Sequence, residues 1–215
     1  MTQPDFIRFL QNRRSSKVAA LIEPGPSKSE IQTILEIASR VPDHGKYAPW
    51  YFVVFEGDAR TEAGQLLREA YKNENPDTAD AKLDLEAEKF LRAPLVVAVI
   101  SRVKKGKHAQ WEQILSAGAA CLNLCLAANA LGYGSNWLTE WPAYSPSFKS
   151  GLGLDARDHI AGFIYIGTKT SDQDERERPD LDNIVTWWQG GQPLAKGDQY
   201  GNSLGELPKT GFLLT

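Results

Sequence analysis

The sequence predicts an α+β fold, and two observations carry this prediction. Helical and extended patterns follow one another in the order helix, helix, strand, helices, strand, helix, strand, helix, strand, without the regular short alternation of a doubly wound sheet. Neither G-x-G-x-x-G nor G-x-x-x-x-G-K-S occurs in the chain, and no glycine-rich phosphate turn follows the first strand. Neither a Rossmann nor a P-loop nucleotide site is therefore expected.

Composition and charge describe an ordinary globular protein. The chain has 215 residues, 42% hydrophobic and 24% charged, which suits one compact domain. Its net charge of −3 provides no overall positive field, so a nucleic-acid partner is not expected. Cys121 and Cys125 are too few for a disulfide framework and lack the spacing of a zinc site. We expect a cytoplasmic protein without a metal, a signal peptide or a membrane span.

The first part of the chain predicts two helices, a rigid loop and a strand. Ser27 and Glu30 form a capping box, which marks the start of the second helix. Two prolines and a glycine oppose regular structure in residues 41–49, which we call the proline loop. In chain order the predicted elements are a helix after Asp5 that ends at basic residues 13–17, a helix closed by Arg40, the proline loop, and a buried strand over 50–55.

The middle of the chain predicts an exposed insert followed by buried elements. Residues 59–91 are helical in pattern but highly charged, and a turn at 73–76 divides them, which predicts two exposed helices acting as a lid or peripheral insert. The unbroken apolar run 95–100 predicts a central strand covered on both faces. Residues 111–131 form a helix that is apolar nearly all round. We expect this helix to be buried on every side and to pack against its own copy in a homodimer.

The last predicted elements follow Gly132, which can adopt the left-handed conformation that ends a helix. Residues 135–139 predict a short strand or extended segment, and Ser145 opens a small helix. A further strand over 160–166 is expected to end at Gly167.

Three consecutive residues at the end of the first helix, Arg13, Arg14 and Ser15, form what we call the basic segment. Two guanidinium groups and a hydroxyl can bind a phosphate dianion through charge-assisted hydrogen bonds. The alternative is that the two arginines only complement the dipole at the helix C-terminus. The spacing alone leaves both interpretations open.

The proline loop carries His44 and Lys46 and leads into a strand that begins with aromatic residues. Such a rigid loop can frame a flat heteroaromatic ligand, although a histidine in a proline-rich loop can equally be a hydrogen-bonded surface residue. Residues 134–139 offer a closely approachable backbone and Trp137, which is also typical of a turn with a core tryptophan.

Taken together, these motifs resemble the nitroreductase family, and most of all its compact YdjA-like subfamily of NAD(P)H nitroreductases. The resemblance covers residues 5–188 in order. One departure is Ala48, where many relatives carry an amide side chain before the Pro-Trp pair. The motifs are Arg13-Arg14-Ser15, R-x-P-D-H from Arg40 with a later Pro-Trp, Phe90-Leu91-Arg92-Ala93-Pro94, Trp111-Glu112-Gln113, G-Y-G-S-N-W and I-x-G-F-I-Y-I-G.

The resemblance implies an α+β homodimer with a central, mostly antiparallel sheet flanked by helices and with FMN bound at the subunit interface. It implies NAD(P)H as the electron donor and a small-molecule acceptor of the nitroaromatic or quinone type. Hydride would pass through flavin N5 in ping-pong order, so no side chain is assigned as catalytic. The cofactor-binding residues implied are Arg13, Arg14, Ser15, Arg40, His44, Trp137, Leu138 and Thr139.

Two other functions remain open at this point, a non-catalytic flavin-binding or flavin-sequestering protein of the same fold and a flavin-free dimeric anion binder. The predicted domain organisation is a nitroreductase domain over 1–188 and an extended or disordered C-terminal tail over 189–215.

Overall fold

The computed structural model describes residues 3–171 and 173–191. The chain divides into two compact units between Gln173 and Asp174. The α-helices of the described residues are α1 (Gln3–Asn12), α2 (Lys28–Ala38), α3 (Ala59–Glu74), α4 (Asp80–Ala87), α5 (Gln110–Ala130), α6 (Pro146–Gly151) and α7 (Leu181–Ile184). The strands are β1 (Leu21–Ile22), β2 (Trp50–Glu56), β3 (Leu95–Ser101), β4 (Gly134–Leu138) and β5 (His159–Lys169). Short 3-10 helices cover Val18–Ala20, Glu88–Arg92 and Trp141–Ala143.

The strands form an antiparallel sheet, which confirms the predicted α+β fold. β3 lies between β2 and β5, and all seven of its residues are buried, as predicted for the apolar run 95–100. β5 also pairs with β4 and with the two-residue strand β1, which the sequence pattern did not reveal.

Helices cover both faces of this sheet. Successive side chains of a strand point to opposite faces, and those of β3 enter two separate hydrophobic clusters. Val96 and Ala98 pack with α3 and α6, whereas Val97 and Val99 pack with α2 and α5. The sheet is therefore the middle layer of the first unit, with α5 as the main helix of one outer layer.

α3 is a core helix, which corrects the prediction of an exposed lid or peripheral insert. Leu67 is fully buried and Ala70 is nearly so. The charged residues lie on the outer side, where Arg68 pairs with Asp84 of α4 at 3.1 Å. The buried stripe of this helix consists largely of small residues, so the charged side dominated the sequence pattern.

Within one chain α5 is buried on one side only, so the predicted burial all round, which includes packing against a second copy, stays a prediction. Leu124 and Ala128 are fully buried, but Leu115 is 54% and Leu122 45% exposed. Among the described residues, α5 is long and apolar enough to cross a membrane by length and composition alone, and half of its apolar window is buried inside the protein. Core helices of soluble proteins pass the same test.

Two helix starts have the caps that the sequence predicts. The Ser27 hydroxyl accepts a hydrogen bond from the Glu30 backbone, and the Glu30 carboxylate accepts one from the Ser27 backbone at 2.8 Å. Ser145 caps α6 by accepting from the Phe148 N–H at 3.0 Å. Gly132 follows α5 with φ +94°, in the left-handed region expected of it.

β5 continues through Gly167 to Lys169 and does not end at the glycine as predicted. Gly167 pairs with Gly134 of β4, and the last residues of β5 pair with β1. A Cβ at Gly167 would lie 2.7 Å from the Pro94 side chain. The glycine therefore allows close packing inside the strand.

The second unit contains α7, whose start is capped by the Asp180 carboxylate accepting from the Asp182 N–H at 3.1 Å. Trp187 and Trp188 are exposed. The predicted domain limit after residue 188 stays a prediction. Of the predicted tail, 192–215 lie outside the described residues.

Candidate functional site

The basic segment lies beside the start of β4, directly after α1 ends. The adjoining Ser16 is buried, and its N–H donates to the Ser135 carbonyl at 2.9 Å. The Asn136 side-chain amide donates to the Ser16 carbonyl. The two arginines of the segment are half-buried and its serine is exposed. These contacts of Ser16 hold the backbone that directly follows the basic segment against β4.

Trp137 is held on β4 by its contact with β5. Its indole N–H donates to the Ala161 carbonyl at 3.1 Å, and the residue stays 40% exposed. Gly162 lies under the ring, where a Cβ would be 2.0 Å from Nε1. The basic segment therefore lies beside the start of β4, Trp137 and Leu138 lie further along that strand, and Thr139 directly follows it.

The chain turns sharply after Thr139. Glu140 has φ +51° and ψ −173°, a backbone conformation that residues with a side chain rarely adopt. Its carboxylate accepts two hydrogen bonds from Arg92, at 3.1 and 2.8 Å, and lies 3.3 Å from Lys89 Nζ. Burial raises the pKa of Glu140, but these two cations outweigh it and leave the pKa below its ordinary value.

Sequence reasoning gave no role to Arg92 and Lys89. Both belong to the 3-10 helix before β3, about fifty positions from Glu140. Arg92 was inside one of the motifs that carry the resemblance, which is the signal that could have identified it. No spacing rule pairs it with a residue so far along the chain.

The proline loop is rigid, as the sequence predicts. The Asp43 carboxylate accepts from the N–H groups of Tyr47, at 3.0 Å, and Ala48, at 2.7 Å. Lys46 and Ala48 both have positive φ, +56° and +43°. The Pro42 carbonyl accepts from the Ser116 hydroxyl of α5 at 2.7 Å, so the loop is fastened to that helix.

His44 has partners inside the chain. Its Nδ1 lies 2.7 Å from the Glu112 carboxylate of α5, and its ring lies 3.5 Å, centre to centre, from His108. Burial, with the nearby charges of His44 and Lys107, lowers the pKa of His108. His44 is well exposed, so these contacts fix its ring while leaving it accessible from outside.

The two groups of predicted site residues lie on different sides of α5. The Arg40 carbonyl accepts from the Asn123 side chain at 3.2 Å. Burial raises the pKa of the Cys125 thiol, and a hydrogen bond with Ser135 and the charge of Arg13 oppose that effect. Side chains two positions apart on a helix point about 200° apart, from roughly 3.6 residues per turn. The Arg40 backbone therefore contacts one side of α5, and the thiol that the Arg13 charge affects lies on the opposite side.

Outside the predicted site, the described residues line a cavity but form no cluster of metal-binding side chains. A cavity of about 330 Å³ lies by β1 and the 3-10 helix 88–92, and none of the predicted site residues lines it. Its Arg60 side chain already donates to the Ala93 carbonyl at 2.6 Å. Over residues 3–171 and 173–191, no cluster of His, Cys, Asp and Glu is arranged to hold a metal ion.

Solved structures define the class of protein to which this fold belongs. A nitroreductase-like family protein from Bacillus cereus superposes with a TM-score of 0.77 at 20% identity, covering 88% of this chain and 99% of that one. The FMN-dependent nitroreductase NfnB from Mycobacterium smegmatis, solved with NADPH, gives a TM-score of 0.68 at 16% identity over 86% of this chain and 99% of that one. The fold is therefore that of the nitroreductases.

Sequence similarity shows the family to which the chain belongs. The model of the Nitroreductase family matches residues 10–168. YdjA of Escherichia coli strain K12, provisionally named an NAD(P)H nitroreductase, is 34% identical over 165 residues, which cover 76% of this chain and 88% of YdjA. The chain belongs to the nitroreductase family, and the resemblance stated from its motifs is confirmed.

Proposed function

We propose that this chain is an FMN-dependent oxidoreductase that uses NAD(P)H to reduce nitroaromatic or quinone-type acceptors. Membership of the nitroreductase family supports an oxidoreductase. The similarity to YdjA, whose name includes NAD(P)H, and to FMN-dependent NfnB supports the donor and the cofactor. The observation that carries the proposal is the anchoring of the basic segment beside β4, ahead of Trp137.

The chemistry of these groups fits FMN. Arg13, Arg14 and Ser15 supply two guanidinium forks and a hydroxyl, which suit the phosphate and the ribityl chain. Trp137 supplies a flat, partly exposed apolar surface, and the contact with Gly162 sets its position. The proposed phosphate-binding residues thus adjoin a residue that contacts β4, and the proposed ring-binding residue Trp137 lies on β4.

Two chains are needed for the complete site. Arg40 and His44 lie on the other side of α5 from the basic segment, so a pocket that uses both groups takes one from each chain. The exposed apolar side of α5, which includes Leu115 and Leu122, provides the surface on which two copies can pack. We therefore infer a homodimer with FMN at its interface.

When bound, FMN supplies the redox chemistry, taking hydride from NAD(P)H and passing reducing equivalents to the acceptor in ping-pong order. The chain binds and orients the cofactor. Arg14 and Lys46 add positive charge to the site, which favours negative charge on the ligand. No side chain is assigned as a general acid or base. Two free, buried thiols, Cys121 and Cys125, suit the cytoplasmic location that we also infer.

Changing Arg13 and Arg14 together to alanine tests the phosphate assignment. We expect the variant to fold and to be purified without yellow colour, because each lost charge-assisted bond contributes about 1.5–3 kcal/mol. The matched control removes two exposed cations elsewhere, Lys28→Ala with Lys72→Ala, and should retain FMN. Retention of FMN by the double arginine variant would overturn the assignment.

A second experiment separates the enzyme from a flavin-sequestering protein. FMN-loaded protein is mixed anaerobically with NADH or NADPH, and the flavin absorbance is followed. We expect bleaching with at least one donor, and recovery when a nitroaromatic or a quinone is added. No bleaching with either donor would favour a binding function, and a heat-released supernatant without FMN would favour an anion binder.

A further inference from the structure

We infer that Arg92 and Lys89 are positioning residues, which act through Glu140 to hold the end of β4 in the backbone conformation that completes the flavin site. The inference rests on the proposed function, because it assigns a purpose to the turn that follows the ring-binding residues. We call these three side chains the clamp.

The backbone at Glu140 needs such a constraint. With φ +51° and ψ −173°, the residue occupies a region that is essentially restricted to glycine. A glutamate remains there only if the surrounding structure over-determines its conformation. The turn comes directly after Thr139, so the peptide between residues 139 and 140 takes its orientation from this conformation.

The clamp supplies the constraint through charged hydrogen bonds. Arg92 binds the carboxylate with two guanidinium nitrogens, the bidentate geometry that fixes direction as well as distance. Lys89 reaches the same carboxylate at 3.3 Å, and both cations are at least two-thirds buried. Partial burial makes these contacts less screened than a surface ion pair.

The clamp is itself anchored on the sheet and on α4. Arg92 donates to the Tyr165 hydroxyl of β5 at 3.0 Å and lies over that ring. Lys89 also lies 3.3 Å from Glu86, a buried carboxylate that the Trp141 indole N–H approaches at 2.6 Å. Glu140 and the following Trp141 are thus tied, through Lys89 and Glu86, to the same part of the structure.

The clamp places three charged side chains beside residues 134–139, which carry no charge of their own. A network that only stabilised the fold would have no need to include Glu140, the residue with the strained backbone. A turn that is fixed before FMN arrives does not have to be ordered at binding, which preserves affinity. The position with the unfavourable backbone and the position with the bidentate partner are one and the same.

Two substitutions at residue 140 test the strain without FMN. Glu140→Ala and Glu140→Gly both remove the carboxylate, but only glycine adopts the observed backbone without cost. In urea titrations of the cofactor-free protein, we expect the unfolding equilibrium constant to be at least about threefold smaller for Glu140→Gly than for Glu140→Ala. At the exposed helical position Glu69 in α3 the order should be reversed. If Glu140→Ala were more stable than Glu140→Gly, as expected for a helical position, the inference would be overturned.

A rescue experiment tests the positioning role in the FMN-loaded protein. Arg92→Met should raise the FMN dissociation constant about tenfold, measured by flavin fluorescence quenching. Adding Glu140→Gly to Arg92→Met should restore binding to within about threefold, whereas adding Glu140→Ala should not. The control Arg68→Met removes an equally buried arginine that pairs with two carboxylates of α4, away from Glu140, and should leave FMN binding unchanged.

The outcomes of the two experiments are separable. If the unmodified protein binds no FMN, the proposed function fails, while the urea order at residue 140 still reports on the clamp. If the unmodified protein binds FMN and glycine does not rescue Arg92→Met, the positioning role is wrong and the proposed function stands.

Discussion

The Trp137 indole lies directly on the backbone of Gly162. A Cβ at Gly162 would lie 2.0 Å from Trp137 Nε1, and the same nitrogen donates to the neighbouring Ala161 carbonyl at 3.1 Å. The position of the indole ring in the predicted flavin-binding set is therefore determined by a missing side chain on another strand.

Gly162→Ala should displace Trp137 and disturb the site. The added methyl group has no space, and overpacking of this kind costs about 1–3 kcal/mol of the free energy of unfolding. We expect FMN affinity to fall with it, which fluorescence titration measures. Gly151→Ala is the control, because its Cβ would make an ordinary 3.4 Å contact with Leu66. Unchanged FMN binding in Gly162→Ala would argue that Trp137 does not face the cofactor.

Ala48→Gly should stabilise the protein. Ala48 has φ +43°, a conformation that costs an L-residue with a side chain about 1–2 kcal/mol, and the extra freedom of glycine in the unfolded chain offsets part of this. We expect a net gain of about 0.5–1 kcal/mol in chemical denaturation. The same change at Ala81 in α4 should reduce stability by a similar amount. A loss at both positions would contradict the left-handed assignment.

The two carboxylates that meet Lys89 should make stability depend on acidity. Burial raises the pKa of Glu86 and of Glu140, but their cationic and hydrogen-bonding partners outweigh it and leave both below the ordinary 4.5. Protonation therefore favours the unfolded chain, so this stabilisation is present above about pH 4.5 and is lost as the pH falls below it. Urea titrations at several pH values should show a shallower acid dependence in Glu140→Gln than in the unmodified protein. If the free energy of unfolding depended equally on pH in both proteins, Glu140 would not contribute to the acid dependence.

Leu122→Glu should convert the proposed homodimer to a monomer that binds no FMN. Leu122 is 45% exposed on α5, and a carboxylate there would have to lose its water in an apolar interface. Light scattering coupled to size exclusion measures the mass. Leu85→Glu, at an exposed position of α4, should leave the mass unchanged. A dimer that persists in Leu122→Glu would place the interface elsewhere.

The sequence predicts the elements whose signals are local. The capping box at Ser27 and Glu30 and the apolar run of β3 depend on neighbouring residues, and both are present as predicted. α3 was misassigned as peripheral because its buried stripe is made of alanine, glycine and leucine among many charges. β1 has only two residues, too few for any pattern.

The sequence predicts candidate site residues where they belong to one short motif, and it does not predict contacts between distant segments. The basic segment and the proline loop are each a run of neighbouring residues, so both can be recognised in the sequence. The contact of Arg92 with Glu140 joins residues 48 positions apart. The role inferred for this contact depends on the positive φ of Glu140, which the sequence does not predict. The positions of these predicted cofactor residues relative to FMN stay predictions.

The separation of Arg13 and Arg40 around α5 has a genetic consequence. In the proposed homodimer, a chain without its basic segment and a chain without its proline-loop side chains would each be defective in both pockets. Mixed together, they form a heterodimer in which one pocket receives both defects and the other receives none. Two inactive alleles should therefore complement each other, and about half of the pockets in the mixed species should bind flavin.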